Sequence, residues 1–370
     1  MDREHIVIVG GGIIGVTTAY YLAKSSKKGS DVRITLLEGS EIAAGSSGHA
    51  GGLLSSDLLG NGHGLSELSF NLHQKLSEEH GGVEAWGYRT VETVSIEADC
   101  SKNGGMSNGR MSKQSMDWID PSVLQRQRIL STDDTTAQVH PGLFTKAIAQ
   151  LAVDAGVEII HATVDSISHS PLSLTATPLA RSTPSSSDPS QIVLHPTKIL
   201  LAAGPWTGGL VEKIFGKGTG GGRARHIDGE RAHSVVIRPI KELPAQCWFT
   251  SIKLGRGRSC EPEIYCRPDG TAYACGPTDD SPLPPLASDV QVDPKACREI
   301  LDQVALLSPT YLKIGDDTAK LELQQACYLP TGSGAPVLGK IAEGVFVASG
   351  HSCWGITLGM SALSSEMVHS

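Results

Sequence analysis

Gly10, Gly12 and Gly15 follow directly on a β-branched run at residues 6–9, and the chain then enters a helix starting near Ile13. Each glycine has its own chemical use. The first allows a tight turn, the second lets a pyrophosphate approach the backbone, and the third lets helix and strand pack closely. The helix N-terminus, with Ile13 and Ile14 in its first turn, offers free N–H groups and the positive end of its dipole to phosphates. A second apolar run, residues 32–37, ends at Glu38 and Gly39. That is close to the spacing of about 20 residues at which an acid accepts hydrogen bonds from a ribose. Glycine is abundant here, 42 of 370 residues, so the spacing alone would be weak. The preceding strand, the following helix and the acid after the next strand supply the context. The pattern predicts a dinucleotide site.

The elements that must position this site are spread along the chain. Residues 43–54 are small, polar and glycine-dense, suited to close backbone approach to a ligand. Residues 63–80 read as a helix, and 81–138 alternate short strand-like pieces with polar turns. The segment from Val139 opens an amphipathic helix whose expected apolar stripe is Leu143, Ala147, Ile148, Leu151 and Ala152. A strand over 157–160 follows, then Val164, a low-complexity stretch at 181–190, and a buried strand at 199–206 ending on small residues. Arg267-Pro268-Asp269-Gly270 has hairpin chemistry between two short strands, and 294–307 reads as a helix. Near the end, a strand over 344–348 runs into Gly350-His351 and a further turn. Nucleotide-type pieces therefore fall at 1–57, 139–215 and 325–370, and the parts between, 58–138 and 216–324, predict a second, antiparallel domain.

Composition narrows the function classes. Apolar content of 39% and charged content of 19% are those of a globular protein. A formal net charge of -8 argues against nucleic acid as partner, since polyanion binders concentrate Lys and Arg. Arg223, Arg225 and Arg231 lie in a glycine-rich stretch and read as solvated surface. No run approaches the 18 apolar residues of a membrane span, and the first strand begins so near Met1 that no targeting peptide is expected. The expected location is the cytoplasm. The eight cysteines show no CxxC pair; they read as reduced, mostly buried thiols, and no metal site is expected.

Four motifs together resemble the D-amino-acid oxidase superfamily, which includes glycine oxidase, sarcosine oxidase and dimethylglycine dehydrogenase. They are Gly10-x-Gly12-x-x-Gly15 with Glu38, the loop Gly45-Ser46-Ser47-Gly48-His49-Ala50-Gly51-Gly52-Leu53, the strand end Ala202-Ala203-Gly204-Pro205-Trp206, and the turn Gly350-His351 through Trp354, Gly355, Ile356 and Thr357. The resemblance implies an α/β fold: a Rossmann-like FAD-binding domain, discontinuous in sequence, with a second α+β substrate domain built on an antiparallel sheet. It implies FAD as cofactor, with the loop embracing the flavin, the backbone of Val164 meeting the adenine, and the 350–357 turn beneath the N1–C2=O edge. Backbone N–H groups there would stabilise charge that grows on reduction. A histidine in the same loop is covalently joined to the flavin in dimethylglycine and sarcosine dehydrogenases, which makes His49 the candidate attachment point. The tryptophan that precedes it in those enzymes is missing, so contact without a bond is expected.

One departure bears on the substrate. The arginine that clamps the substrate carboxylate in glycine and D-amino-acid oxidases is replaced by Leu329, within Cys327-Tyr328-Leu329-Pro330. A leucine cannot pair a carboxylate. Arg267 is the candidate substitute, with Tyr265 and Tyr328 as candidate pocket residues; no acid/base pair stands out as catalytic. The full pattern looks most like a fungal branch linked to endosome-to-Golgi recycling, which would add a peripheral endosomal location. The resemblance thus implies an FAD-dependent enzyme oxidising a C–N bond of an amine or amino-acid-like small molecule by hydride transfer to flavin N5, with oxygen as a candidate acceptor. The alternatives are a flavin-holding binding protein acting in recycling and, less well matched, an NAD-linked dehydrogenase.

Overall fold

The computed structural model describes residues 4–25, 32–57, 64–101, 118–179 and 191–361. The low-complexity stretch 181–190 and the end of the last segment, 362–370, lie outside the described residues.

An eight-stranded sheet runs in the order 192–194, 172–178, 158–169, 32–38, 4–9, 198–201, 345–349, 337–342. The central five strands are parallel and the outer pairings antiparallel. Strand Glu4–Val9 lies between 32–38 on one side and 198–201 on the other, so the strand order reverses there. A cleft forms at such a switch point because the connections leave towards opposite faces. The strand's two-residue period divides its side chains between two cores. Ile6 and Ile8 pack with helices Ile13–Ser25 and Pro141–Asp154, while Val7 and Val9 pack with helix Thr207–Phe215. Coverage on both faces explains the near-continuous apolar runs read from the sequence.

A second sheet runs in the order 319–331, 228–239, 272–279, 263–266, 246–255, 92–99, 124–131. Its pairings along this path are antiparallel except one, Gln246–Gly255 with Glu92–Asp99. Helix Pro294–Leu307 covers its far face through Cys297, Ile300, Leu301 and Val304. The helix has Pro294 in its first turn and Asp293 as N-cap, accepting from the Lys295 N–H at 2.9 Å. The near face, with Cys247, Tyr265 and Tyr273, is turned towards the first domain's loop and packs on Leu53. A three-stranded sheet, 53–55, 136–138 and 89–90, bridges the two.

Three sequence expectations need correction. Strand Ala319–Thr331 pairs along its length with 228–239, so the second sheet runs through the expected boundary at 325. Arg231 is no solvated loop residue: it lies in strand Asp228–Pro239, mostly buried, with its guanidinium on both oxygens of Asp279 at 3.0–3.2 Å. The stripe of helix Pro141–Asp154 is rotated, burying Phe144, Ile148 and Ala152 and leaving Leu143 49% exposed. The cause is Phe144, whose ring sits 4.8 Å from His73 and 5.6 Å from Trp86, a contact between distant segments that periodicity cannot see.

Phe144→Ala should therefore cost about 3–5 kcal/mol, the range for a fully buried ring. Denaturant melts of the two proteins measure it, and a loss below about 1 kcal/mol would rule out this packing.

Candidate functional site

At the switch point a cleft of about 630 Å³ runs from Glu38 and Gly39, past Gly12 and Ser47, to His351 and Gly355. Helix Ile13–Ser25 starts at its middle. The helix can lie so close to its strand because a Cβ on Gly15 would come 1.9 Å from the Gly10 carbonyl oxygen. Glu38 is half-buried, and each of its oxygens accepts one backbone N–H, from Gly11 at 2.6 Å and from Ser40 at 2.7 Å. Burial raises its pKa and the two bonds oppose that rise. Ser47 Oγ accepts from the Ile13 N–H at 2.9 Å, so the glycine-rich loop caps the phosphate-facing helix.

The far end is built by the C-terminal turn. His351 is 3% exposed and lines the cleft, and burial pushes its imidazole down to about 4. Thr357 Oγ1 donates to the Leu53 carbonyl at 2.9 Å, tying this turn to the loop. Behind it, fully buried His73 donates from Nε2 to the Ile356 carbonyl at 2.9 Å; its pKa is also pushed down to about 4 by burial. His49 donates from Nδ1 to Gly45 O at 2.8 Å, and burial lowers its pKa, with the bond to Gly45 opposing and the Arg267 charge adding to the fall. Its Nε2 is therefore the unprotonated nitrogen.

Of the sequence candidates, the cleft is lined by Gly10, Gly12, Ile13, Ile14, Glu38, Gly39, Ser46, Ser47, Val164, Ala203, Gly204, Trp206, His351 and Gly355. Gly15, His49, Gly51, Gly52, Leu53, Gly350, Trp354, Ile356 and Thr357 belong to the same segments without lining that cavity. Val164 lies at the Glu38 end, its carbonyl accepting from Lys213 Nζ at 2.7 Å. The substrate candidates are placed elsewhere. Arg267 is 5% exposed, with Nη2 on the Ala50 carbonyl at 3.1 Å and its guanidinium 5.0 Å from the Tyr273 ring centre, so it braces the loop from beneath. The Tyr265 ring is pressed on Gly51, where a Cβ would meet it at 2.7 Å. Tyr328 donates to the Pro282 carbonyl at 2.8 Å and lies outside the cleft lining. Cys353, expected as packing, is exposed.

Sequence reading missed one wall of the cleft. Pro285, Leu286 and Ala287 cross from the second sheet to cover the Glu38 end. The strap is pinned by the Trp206 indole N–H to Pro284 O at 2.7 Å and by the Ser288 N–H to Ser40 Oγ at 3.2 Å. Its signal was the proline-rich run Pro282-Leu283-Pro284-Pro285, a stretch that stays extended without hydrogen bonds of its own. Gln325 was also missed; its Nε2 donates to the His49 carbonyl at 3.1 Å and to Ser234 Oγ at 2.9 Å.

This geometry matches what the chain is similar to. The family model for FAD-dependent oxidoreductases matches residues 5–362. The chain belongs to that family. Its relatives include a candidate oxidoreductase of Schizosaccharomyces pombe, C1F5.03c, 37% identical over 97% of this chain and 91% of the relative. Over 22% of the chain it is 44% identical to human mitochondrial dimethylglycine dehydrogenase, a segment that makes up 9% of that protein. Among solved structures, glycine oxidase from Geobacillus kaustophilus superimposes with a TM-score of 0.73 at 18% identity, covering 97% of this chain and 92% of that one. The fold of this flavoprotein is thus that of the family, and the cleft suits FAD. Gly12 bares its backbone to the cavity, where a Cβ would come 3.1 Å from Ser47 Oγ, Glu38 stands at one end, and one continuous cavity joins it to the C-terminal turn.

A pH dependence follows from the two buried imidazoles. Their folded pKa values lie below the unfolded 6.5, so the stability they add is complete above pH 6.5 and is lost as pH falls from 6.5 towards 4. The shift corresponds to roughly 3 kcal/mol per ring. Glu38, raised, acts with the opposite sign: its contribution is present below pH 4.5 and fades as pH rises. Melting temperature should fall between pH 7 and 4.5, and His73→Phe should flatten that fall. Identical slopes for the two proteins would show that His73 is not held neutral.

Proposed function

We propose that this flavoprotein oxidises the C–N bond of an amine or amino-acid-like small molecule. The observation that carries this reading is the single cleft joining the Glu38 end to the His351–Gly355 turn, at the seam between the two sheets. The local likeness to dimethylglycine dehydrogenase and the fold shared with glycine oxidase support an amine over other reductants. Bound FAD would supply the hydride acceptor, at N5 of its ring.

The chain's own residues do the rest. Glu38 would hold the ribose, and the N-terminus of helix Ile13–Ser25 with Ser46 and Ser47, which line the cleft, would hold the pyrophosphate. The strap at 284–287 excludes water from the adenine end. Backbone N–H groups of the 351–355 turn would face the pyrimidine edge, and His351, held neutral by burial, keeps positive charge away from that edge. No protein base is needed when the amine arrives neutral. FAD is held without a covalent bond in this reading; Nε2 of His49 is the atom through which a covalent link would form instead.

Anaerobic mixing of the yellow holoprotein with secondary amines and amino acids tests the reaction. At least one member should bleach the flavin, and air should restore the colour if oxygen is the acceptor. A panel that leaves the spectrum unchanged favours a flavin-holding binding protein. Acid precipitation separately decides the linkage: colour should stay in the supernatant, and a yellow pellet that turns white in His49→Ala would overturn the non-covalent assignment.

A further inference from the structure

The strap over the Glu38 end is one loop with a fixed neck and a lightly held tip. Arg231 clamps its two ends together. The guanidinium takes both oxygens of Asp279 at 3.0–3.2 Å and, through Nη1, the Gln291 carbonyl at 3.1 Å. Two residues on in the same strand, buried His233 accepts the Asp293 N–H on Nε2 at 2.9 Å. The second sheet holds the start of the loop as well. Tyr328 donates to the Pro282 carbonyl at 2.8 Å, and Leu283 lies on Gly229, where a Cβ would meet it at 3.0 Å. The neck therefore belongs to the second sheet, and a charge-assisted bidentate pair holds it there.

The tip is held differently. Three of the four residues at 282–285 are prolines, which have no N–H to donate to a neighbouring strand or within the loop. Its hydrogen bonds to the nucleotide domain, among the described residues, run from Trp206 Nε1 to the Pro284 carbonyl at 2.7 Å and between Ser288 and Ser40, with the Ser288 N–H on Ser40 Oγ at 3.2 Å. Leu286 rests on Gly39, where a Cβ would meet it at 3.4 Å. None of residues 281–290 is fully buried. A segment with so few buried contacts and bonds opens at far lower cost than the sheets on either side of it. It is also in the way. Pro285, Leu286 and Ala287 wall the end of the cleft that would take the adenine, while the opposite end is tied shut from Thr357 to Leu53.

We infer that residues 280–290 form a gate for FAD. The loop swings as a unit about its Arg231 neck, admits the ADP half while Trp206 and Ser40 are released, and closes on it when those bonds re-form. Trp206 is thus a positioning residue that acts on the cofactor through the strap. The inference rests on FAD occupying the cleft and not on which substrate the flavin oxidises.

Ser40 Oγ and Ser288 Oγ lie 3.4 Å apart, which offers a lock. In the double variant Ser40→Cys, Ser288→Cys a disulfide would fasten the tip to the nucleotide domain. Loaded with FAD while reduced and then oxidised, this variant should release flavin at least about tenfold more slowly than its own reduced form, and a thiol reductant should restore the rate. Fluorescence of free FAD after dilution reads the release. Holoprotein without the two substitutions, oxidised in the same way, should not slow. Trp206→Phe should speed release roughly twofold to tenfold, the effect of one hydrogen bond, and should lose that effect in the oxidised double variant. Equal release from the oxidised and reduced forms overturns the gate, because the flavin then leaves by another route. An unchanged rate in Trp206→Phe overturns it even where the cross-link does not form, and a Trp206→Phe effect of the same size under the lock overturns the part assigned to Trp206. No amine enters these measurements, so an unbleached amine panel leaves the gate standing and an ineffective lock leaves the oxidation reading standing.

Discussion

The structure depends on the close approach of helix Ile13–Ser25 to strand Glu4–Val9. Only where the helix axis lies this near the sheet does its N-terminus open into the cleft rather than into solvent. Segments far apart in sequence then use its first turns as a common anchor. Glu38 binds the Gly11 N–H, Ser47 takes the Ile13 N–H, and Thr17 Oγ1 donates to the Gly359 carbonyl at 2.9 Å. A side chain at Gly15 would displace the helix, and each of these contacts would be lost with it. The N-terminal segment and the C-terminal turn, 342 residues apart in sequence at Thr17 and Gly359, are thereby tied at one helix.

The far end of the cleft obeys a different constraint, the cost of burying charge. His73 and His351 sit where an imidazolium would be poorly solvated, so both stay neutral, His73 acting through a hydrogen bond and His351 through shape. His73 fixes the Ile356 carbonyl, and Thr357 fixes the turn to the loop at Leu53. The guanidinium of Arg267 at this seam meets a carbonyl and a ring face, with Asp269 within electrostatic reach. Packing, not ion pairing, sets the distance between the two domains here.

The nucleotide half was legible because its requirements are local. A glycine turn, a β-branched strand and an acid after the next strand each have one physical use, and they fall where the use demands. The 45–53 loop and 350–357 turn were legible by resemblance, and the structure joins them through Thr357. Helix 294–307 was legible because Asp293 and Pro294 mark its start and its apolar period is clean. What could not be read was anything set by register between distant strands. The rotation of Phe144, the pairing of Arg231 with Asp279 and the passage of strand Ala319–Thr331 through the expected boundary all depend on partners far along the chain. The proline-rich strap was missed, because nothing in its own residues names Trp206 or Ser40 as its anchors.

The same limit explains why Arg267 looked like a substrate clamp. A turn arginine between two strands reads as exposed and free, and the missing arginine at Leu329 invited a substitute. The hairpin instead folds inward, the guanidinium is desolvated beneath the loop, and its Nη2 is bonded to the Ala50 carbonyl while its buried Nε has no partner among the described residues. Moving it to meet a carboxylate would break that bond and uncover the Tyr273 ring, while leaving the Ala50 carbonyl buried and unpaired. Such a loss costs about 1–3 kcal/mol before any ligand is gained.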